Sequence, residues 1–229
     1  MPIVARSGEP VFVRGGPVGC LALHGFGGSP AEIGPVVAAL AERGYTVAAP
    51  VLPGHGGAPP ELARTRFRHW IRGAEQALEQ LEAECAHVHL VGFSMGGLIA
   101  LHVAARREVG SVCTLAVPVL LEDPAPLMDH LARYLNPPPG AIRSLVRLAR
   151  LVRRDLGRVT APVLALQGDR DRWIAPESAA YLVSHVSSRH AVCRVLAGRG
   201  HFLALERGRK EVAAQVADWI ASSEIGWRP

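Results

Sequence analysis

The sequence predicts an α/β fold, a mostly parallel sheet with helices wound over both faces. Three observations predict it. Short apolar runs bounded by glycine, such as Val18-Gly19-Cys20-Leu21-Ala22-Leu23, have the pattern of strands covered on both sides. Helix-forming stretches alternate with those runs, which requires crossover connections and therefore parallel strands. The length, 229 residues, suits one such domain with a full core better than two small ones.

The elements follow in order. Val11-Phe12-Val13 is a short strand and Val18–Leu23 a buried one, leading into the glycine-rich loop His24-Gly25-Phe26-Gly27-Gly28-Ser29-Pro30. Ser29 then Pro30, a cap and a first-turn proline, start a helix that runs to Arg43-Gly44. Tyr45–Pro50 is the next strand, followed by the loop Leu52-Pro53-Gly54-His55-Gly56-Gly57. Between Phe67 and Glu84, Trp70, Ile71, Ala74, Ala77, Leu78 and Leu81 lie along one helical stripe. The run Val88–Phe93 ends at Ser94, and a helix runs on to about Arg107. Ser111–Val117, Pro162–Gly168 and Ala191–Leu196 are further strands; helices are expected at Pro176–His185 and around Val212, Val216, Trp219 and Ile220. Between Pro118 and Thr160 the alternation breaks, and only helix and proline signals occur.

Composition excludes several classes. Nearly half the residues are apolar (49%), yet no run reaches the roughly 18 uninterrupted apolar positions of a membrane span. The first ten residues lack the hydrophobic block and small-residue cleavage site of a secretory signal, so a cytoplasmic location is expected. The net charge of +5 rests almost wholly on arginine, Lys210 being the only lysine. Those arginines are dispersed without interleaved aromatics, which speaks against a nucleic-acid surface. Cys20, Cys85, Cys113 and Cys193 have no ligand or CxxC spacing and read as buried, reduced thiols. No metal or organic cofactor is expected.

A parallel sheet presents its functional loops at the carboxyl ends of its strands. The loops at His24–Ser29, Ser94, Pro118–Asp123, Gly168–Arg172 and Ala197–Phe202 all fall there. Gly92-Phe93-Ser94-Met95-Gly96 is a strand turning sharply into a helix with a serine at its apex, a turn so tight that its flanks must be tiny. By itself such a turn is compatible with mere packing; a base, an acid and a second amide donor decide the matter. A serine hydroxyl needs a neighbouring base, and His201, in Gly200-His201-Phe202 after the final strand, is the best placed. His24 and His55 also sit in loops, where either could instead hold backbone carbonyls. The acid comes from Gly168-Asp169-Arg170-Asp171 or from Asp123: Asp171, further out over the strand edge, leads, while Asp169 could bond turn amides. An oxyanion hole needs two backbone donors, for which the amides of Met95 and Phe26 are the candidates. Phe26, Trp173 and Phe202 are candidates to line the substrate site, although core packing explains the two latter aromatics equally well.

With these residues in hand, the chain resembles the α/β-hydrolase superfamily along nearly its whole length, in particular small bacterial carboxylesterases and monoacylglycerol lipases. The segments that carry the resemblance are Leu23–Gly28, Ala49-Pro50 with Pro53-Gly54-His55-Gly56, Gly92–Gly97, Gly168–Asp171 and Gly200–Phe202. It implies an α/β-hydrolase fold with Ser94 as nucleophile, Asp171 as acid, His201 as base, and Phe26 and Met95 as oxyanion donors. It also implies a core of residues 1–118 and 160–229 with a helical cap at 119–159. Relatives of this kind usually carry a longer lid; here a short segment, Ala125–Leu135, precedes Asn136-Pro137-Pro138-Pro139-Gly140 and one helix. On that helix Ile142, Leu145, Ala149, Val152 and Leu156 form an apolar stripe opposite Arg143, Arg147, Arg150 and Arg154. A solvated charged face explains the arginines better than transient contact with a lipid surface, the alternative.

The expected activity is a serine esterase acting through an acyl-enzyme on a small-molecule ester of short-to-medium acyl chain, monoacylglycerols included. Thioesterase, lactonase and carbon–carbon bond hydrolase could use the same triad. A non-catalytic binding protein on this fold is the alternative from another class.

Overall fold

Alternate residues of each apolar run serve opposite faces of one sheet, which is why the runs have almost no polar positions. A computed structural model of the chain describes residues 8–57, 59–121, 125 and 137–226. Its strands are β1 (Val11–Val13), β2 (Val18–Leu23), β3 (Thr46–Ala49), β4 (His87–Phe93), β5 (Val112–Leu115), β6 (Val163–Gly168) and β7 (Ala191–Leu196). They form a 7-stranded sheet in the order β1-β3-β2-β4-β5-β6-β7. Neighbours pair in parallel, except that β1 runs antiparallel to β3 at the edge, with Val11 opposite Ala49.

The helices are α1 (Gly34–Glu42), α2 (Pro59–Arg64), α3 (Phe67–Glu82), α4 (Met95–Ala104), α5 (Pro139–Asp155), α6 (Glu177–His185) and α7 (Arg209–Gly226). On one face, Val37 and Leu40 of α1 and Val216 and Ile220 of α7 pack on Cys20, Val91 and Leu164. On the other, Trp70, Leu98, Leu145 and Leu182 of α3 to α6 pack on Leu21, Leu90 and Val112. From β2 the chain goes outward to β3, then returns past β2 to β4. Strand order reverses there, and a parallel sheet opens a crevice at the carboxyl ends beside such a point.

Several expectations need correction. Ser29 makes no capping bond with its side chain, and the first turn, Pro30–Ile33, is a 3-10 helix rather than part of α1. The helix α2 has no counterpart in the sequence reading, whereas α7 spans Arg209–Gly226 around the expected Val212, Val216, Trp219 and Ile220. Cys20, Cys85 and Cys113 are buried free thiols, but Cys193 is only half-buried because β7 forms the sheet's edge. Asn136 and the expected segment 125–135, apart from Ala125, lie outside the described residues. Among the described residues, no helix is long and apolar enough to cross a membrane.

Helix α5 packs as a layer of the core. Ala141, Ile142, Leu145, Leu148, Ala149 and Val152 are buried, while Arg143, Arg147, Arg150 and Arg154 face solvent. The hydroxyl of Ser144 accepts the Phe67 amide (2.8 Å), tying α5 to the start of α3. Buried Asp155 is neutralised by Arg106 (2.5 Å) and Arg154 (3.0 Å). These contacts hold one wall of the crevice in place.

The β4–α4 junction is the tightest point in this architecture. A Cβ on Gly96 would stand 2.2 Å from the Leu23 carbonyl oxygen, and one on Gly92 2.4 Å from the Gly96 carbonyl. Backbone cannot yield as a side chain can, so Gly96→Ala is expected to lower the unfolding free energy by about 3 kcal/mol, at the upper end of overpacking costs. Urea denaturation measures it, and a loss under about 0.5 kcal/mol, the size of an ordinary surface change, would show that the junction has slack.

Candidate active site

Ser94 sits between β4 and α4 with φ +51° and ψ −115°, a left-handed conformation that costs a non-glycine residue about 1–2 kcal/mol. The neighbouring chain imposes it. The Ser94 amide donates to the Leu115 carbonyl of β5 (2.8 Å), and the Ser94 carbonyl accepts from Gly97 (3.0 Å) and Leu98 (3.3 Å) to begin α4. The strand thus arrives hydrogen-bonded to β5, and the helix must leave at once. The side chain is lifted out of the sheet at the apex and remains half-buried. The Met95 amide follows at the first turn of α4, where helix geometry offers it no partner.

The carboxyl ends of β6 and β7 bring His201 and Asp171 together. His201 Nδ1 and Asp171 Oδ2 are 2.9 Å apart, and both residues are buried. Gln167 Nε2 donates to the same Oδ2 (2.9 Å), while Oδ1 accepts the amides of Trp173 (2.8 Å) and Ile174 (3.0 Å). Burial works to raise the Asp171 pKa. The hydrogen bond and charge of His201, with the Ile174 and Trp173 amides, outweigh it and hold the carboxyl below its ordinary value. A carboxylate so placed makes Nδ1 the protonated nitrogen of a neutral imidazole and frees Nε2 to act as a base. Asp169 points away, accepting the Gly198 amide (2.7 Å). Asp123 lies outside the described residues.

On the opposite lip, the turn after β2 is closed by the Gly28 amide bonding the Gly25 carbonyl (3.3 Å), an arrangement that does not use the Phe26 amide. The Phe26 ring packs edge-on against Trp70 and His55, with centroids 5.7 and 5.9 Å away, so the core props this loop from below. His24 and His55 are structural here. Nδ1 of His24 bonds the Gly25 carbonyl (2.8 Å) and its Nε2 accepts the Leu52 amide (3.0 Å); Nδ1 of His55 meets the Pro53 carbonyl (3.1 Å). Burial, reinforced by His55, lowers the His24 pKa to about 3.

Ser94 and His201 line one cavity of about 510 Å³, together with Phe26, Leu145, Trp173 and Phe202. The Trp173 ring lies nearly parallel to the His201 imidazole (centroids 5.1 Å, 10°), and Phe202 meets Trp173 edge-on at 5.2 Å. These aromatic rings shield the imidazole from water on one side.

Three polar residues of the site were not apparent from the sequence. Gln167 is hidden within an apolar strand. Glu206 accepts the amides of Gly200 (2.8 Å) and Phe202 (3.1 Å), bracketing His201 from both sides. Glu32 accepts the Gly25 amide (3.0 Å) and lines the cavity. Its place three residues after Ser29 has the form of a capping box, the one sequence signal that marks it, but its side chain serves the loop instead.

Comparison with known proteins gives a consistent result. Residues 20–155 match the model of a family described as "Alpha/beta hydrolase family". A thermostable monoacylglycerol lipase of Bacillus sp. (strain H-257) is 30% identical over 210 residues, covering 81% of this chain and 83% of that protein. A carboxylesterase of Bacillus subtilis (strain 168) is 23% identical, covering 96% and 98%. Among solved structures, one from the metagenome-derived lipolytic enzymes LipS and LipT superposes with a TM-score of 0.87 at 24% identity, covering 96% of this chain and 99% of that one.

Burial raises the Glu32 pKa to about 7, against the lowering effect of the Gly25 amide. Its folded-state value lies above the ordinary 4.5, so its contribution is complete below pH 4.5 and is lost as the pH rises through 7. Glu32→Gln keeps an acceptor for Gly25 without the charge. The variant is expected to match the parent's stability near pH 4.5 and to exceed it by on the order of 1–3 kcal/mol at pH 8. Urea unfolding across that range checks it; a difference that does not vary with pH would contradict the assignment.

Proposed function

Because this chain belongs to the alpha/beta hydrolase family, we propose that it hydrolyses carboxylic esters through a serine acyl-enzyme, with Ser94, His201 and Asp171 as its triad. The observation that carries the reading is the buried 2.9 Å pair of His201 and Asp171 on the cavity that the strained Ser94 also lines. The names of the relatives, a monoacylglycerol lipase and a carboxylesterase, support an ester as substrate.

In this mechanism Ser94 Oγ attacks the ester carbonyl while His201 Nε2 takes its proton. Asp171 stabilises the imidazolium that forms and fixes the ring's orientation. Negative charge develops on the carbonyl oxygen, where the amides of Met95 and Phe26 would receive it; each such donor typically contributes roughly 3 kcal/mol. The alcohol leaves with the proton from His201, and the acyl group remains on Ser94. Water, deprotonated by His201, then attacks the acyl-enzyme and releases the acid and free Ser94. Glu206 and Glu32 hold backbone on either side of the reacting centre, so the donors and the base are positioned before substrate arrives.

The cavity is of the size that takes a small ligand, with Leu145, Trp173 and Phe202 as its apolar wall. That supports an acyl chain of short-to-medium length, the ester of a monoacylglycerol among them. The exposed arginines of α5 are left to solvent in this reading.

Ser94→Ala is expected to abolish hydrolysis of p-nitrophenyl acyl esters and labelling by a fluorophosphonate while leaving the fold intact. Retention of the parent rate would exclude Ser94 as the nucleophile. Asp171→Asn keeps the shape but favours the wrong imidazole tautomer, and kcat should fall by roughly 10⁴. Across esters from acetyl to palmitoyl, with a monoacylglycerol included, kcat/KM is expected to peak at short-to-medium chains. A steady rise through palmitoyl would overturn the chain-length assignment.

A further inference from the structure

At the amino end of β4, away from the cavity, His87 and His89 stand two residues apart on one strand. Both imidazoles therefore leave the same face, the one covered by α1 and α7. Their rings meet edge to face with centroids 5.3 Å apart. Glu224, in the last turns of α7, brings its carboxylate to them: Oε1 is 4.0 Å from His89 Nε2. One donor atom from each of the three residues lies within 4.8 Å of the other two.

The surroundings prepare His89 as a ligand. It is fully buried, and its Nδ1 pairs with Ser111 Oγ at 2.8 Å, leaving Nε2 aimed at the carboxylate. Neither His89 Nε2 nor Glu224 Oε1 has a hydrogen-bond partner among the described residues, although the Glu224 carboxylate also meets the Tyr45 hydroxyl. Leaving buried polar atoms unsatisfied costs about 1–3 kcal/mol each, so their convergence calls for a third party. Gly110 makes room for the ring, since a Cβ there would stand 2.6 Å from the imidazole Cε1.

We propose that His87, His89 and Glu224 form a site for a divalent transition-metal ion, Zn²⁺ by preference, that pins the last helix to the central strand. Two imidazole nitrogens and a carboxylate oxygen are a borderline-soft set suited to zinc. The Ser111 contact on Nδ1 is the outer-shell support that orients a metal-bound histidine. Bonds of about 2.1 Å in a tetrahedron put ligand atoms about 3.4 Å apart, so the cluster closes by a modest inward turn. Glu224, whose side chain is 30% exposed although Oε1 itself is buried, supplies that movement, and a water completes the tetrahedron. His89 is five residues from Ser94 along an extended strand, roughly 16 Å, so the ion acts on the fold and takes no part in ester hydrolysis. The proposal is independent of the assigned activity.

The test uses the full chain, stripped of metal by a chelator and titrated with ZnCl₂ by calorimetry and with Co²⁺ by visible absorption. One ion per chain, a four- or five-coordinate cobalt spectrum and a Tm that climbs with free Zn²⁺ are expected. Glu224→Gln and His87→Asn should each weaken Zn²⁺ binding at least tenfold with esterase activity unchanged, whereas His190→Asn, at an exposed histidine elsewhere, should leave affinity alone. Both ligand variants change partly exposed residues, so the test does not depend on whether a substitution of buried His89 folds. Absence of binding, or equal affinity in Glu224→Gln, His87→Asn and the parent, would overturn the site.

Discussion

Two missing side chains hold this structure together. Gly92 and Gly96 let the first turn of α4 lie directly on the ends of β2 and β4, at distances that no Cβ could occupy. That approach forces Ser94 into its left-handed conformation and seats Gly96 against the Leu23 and His24 carbonyls, at the start of the loop that carries Phe26. The order of the sheet follows the same logic. The chain must return past β2 to form β4, and the reversal leaves the β2 and β4 loops facing each other across a crevice.

Carboxylates then do for the loops what the glycines do for the elbow. Asp171 gathers His201, Gln167 and two amides; Glu206 brackets His201; Glu32 holds Gly25; Asp169 holds Gly198. Each bonds fixed backbone or side-chain donors, the buried ones in exchange for hydration, so the loops keep their shape without regular secondary structure. The cost is visible at Glu32, where burial lifts the pKa to about 7. A buried acid there is tolerated because it orders the backbone beside Phe26.

Much of the fold was legible because strand burial and helical stripes are local patterns. Val18–Leu23 and Phe67–Glu84 read almost as they fold, since a buried strand needs an unbroken apolar run and an amphipathic helix a repeating stripe. The helix α2 escaped because its two leading prolines look like loop, although proline is at home in a first turn. Ser29 reads as a cap but makes no capping bond, and Glu32, three residues on, gives its carboxylate to a loop amide instead. Asp171 leads over Asp169 and Asp123 in sequence because it lies further out past the strand edge, and the reach from β6 to the β7 loop sets that carboxylate beside His201 while Asp169 turns to Gly198.

The sequence by itself determined the alternation of strands and helices, the tight serine turn and the loops where polar chemistry gathers. These depend on residues within a few positions of one another, where periodicity and glycine placement carry the information. Tertiary structure alone decided that Gln167 joins Asp171 and His201, that Glu32 and Glu206 serve the loops, and that His87 and His89 face Glu224 across more than half the chain. Such pairings depend on which strands are neighbours and which face a side chain leaves. Those are set by how the whole sheet closes its two interiors, and no local spacing records them.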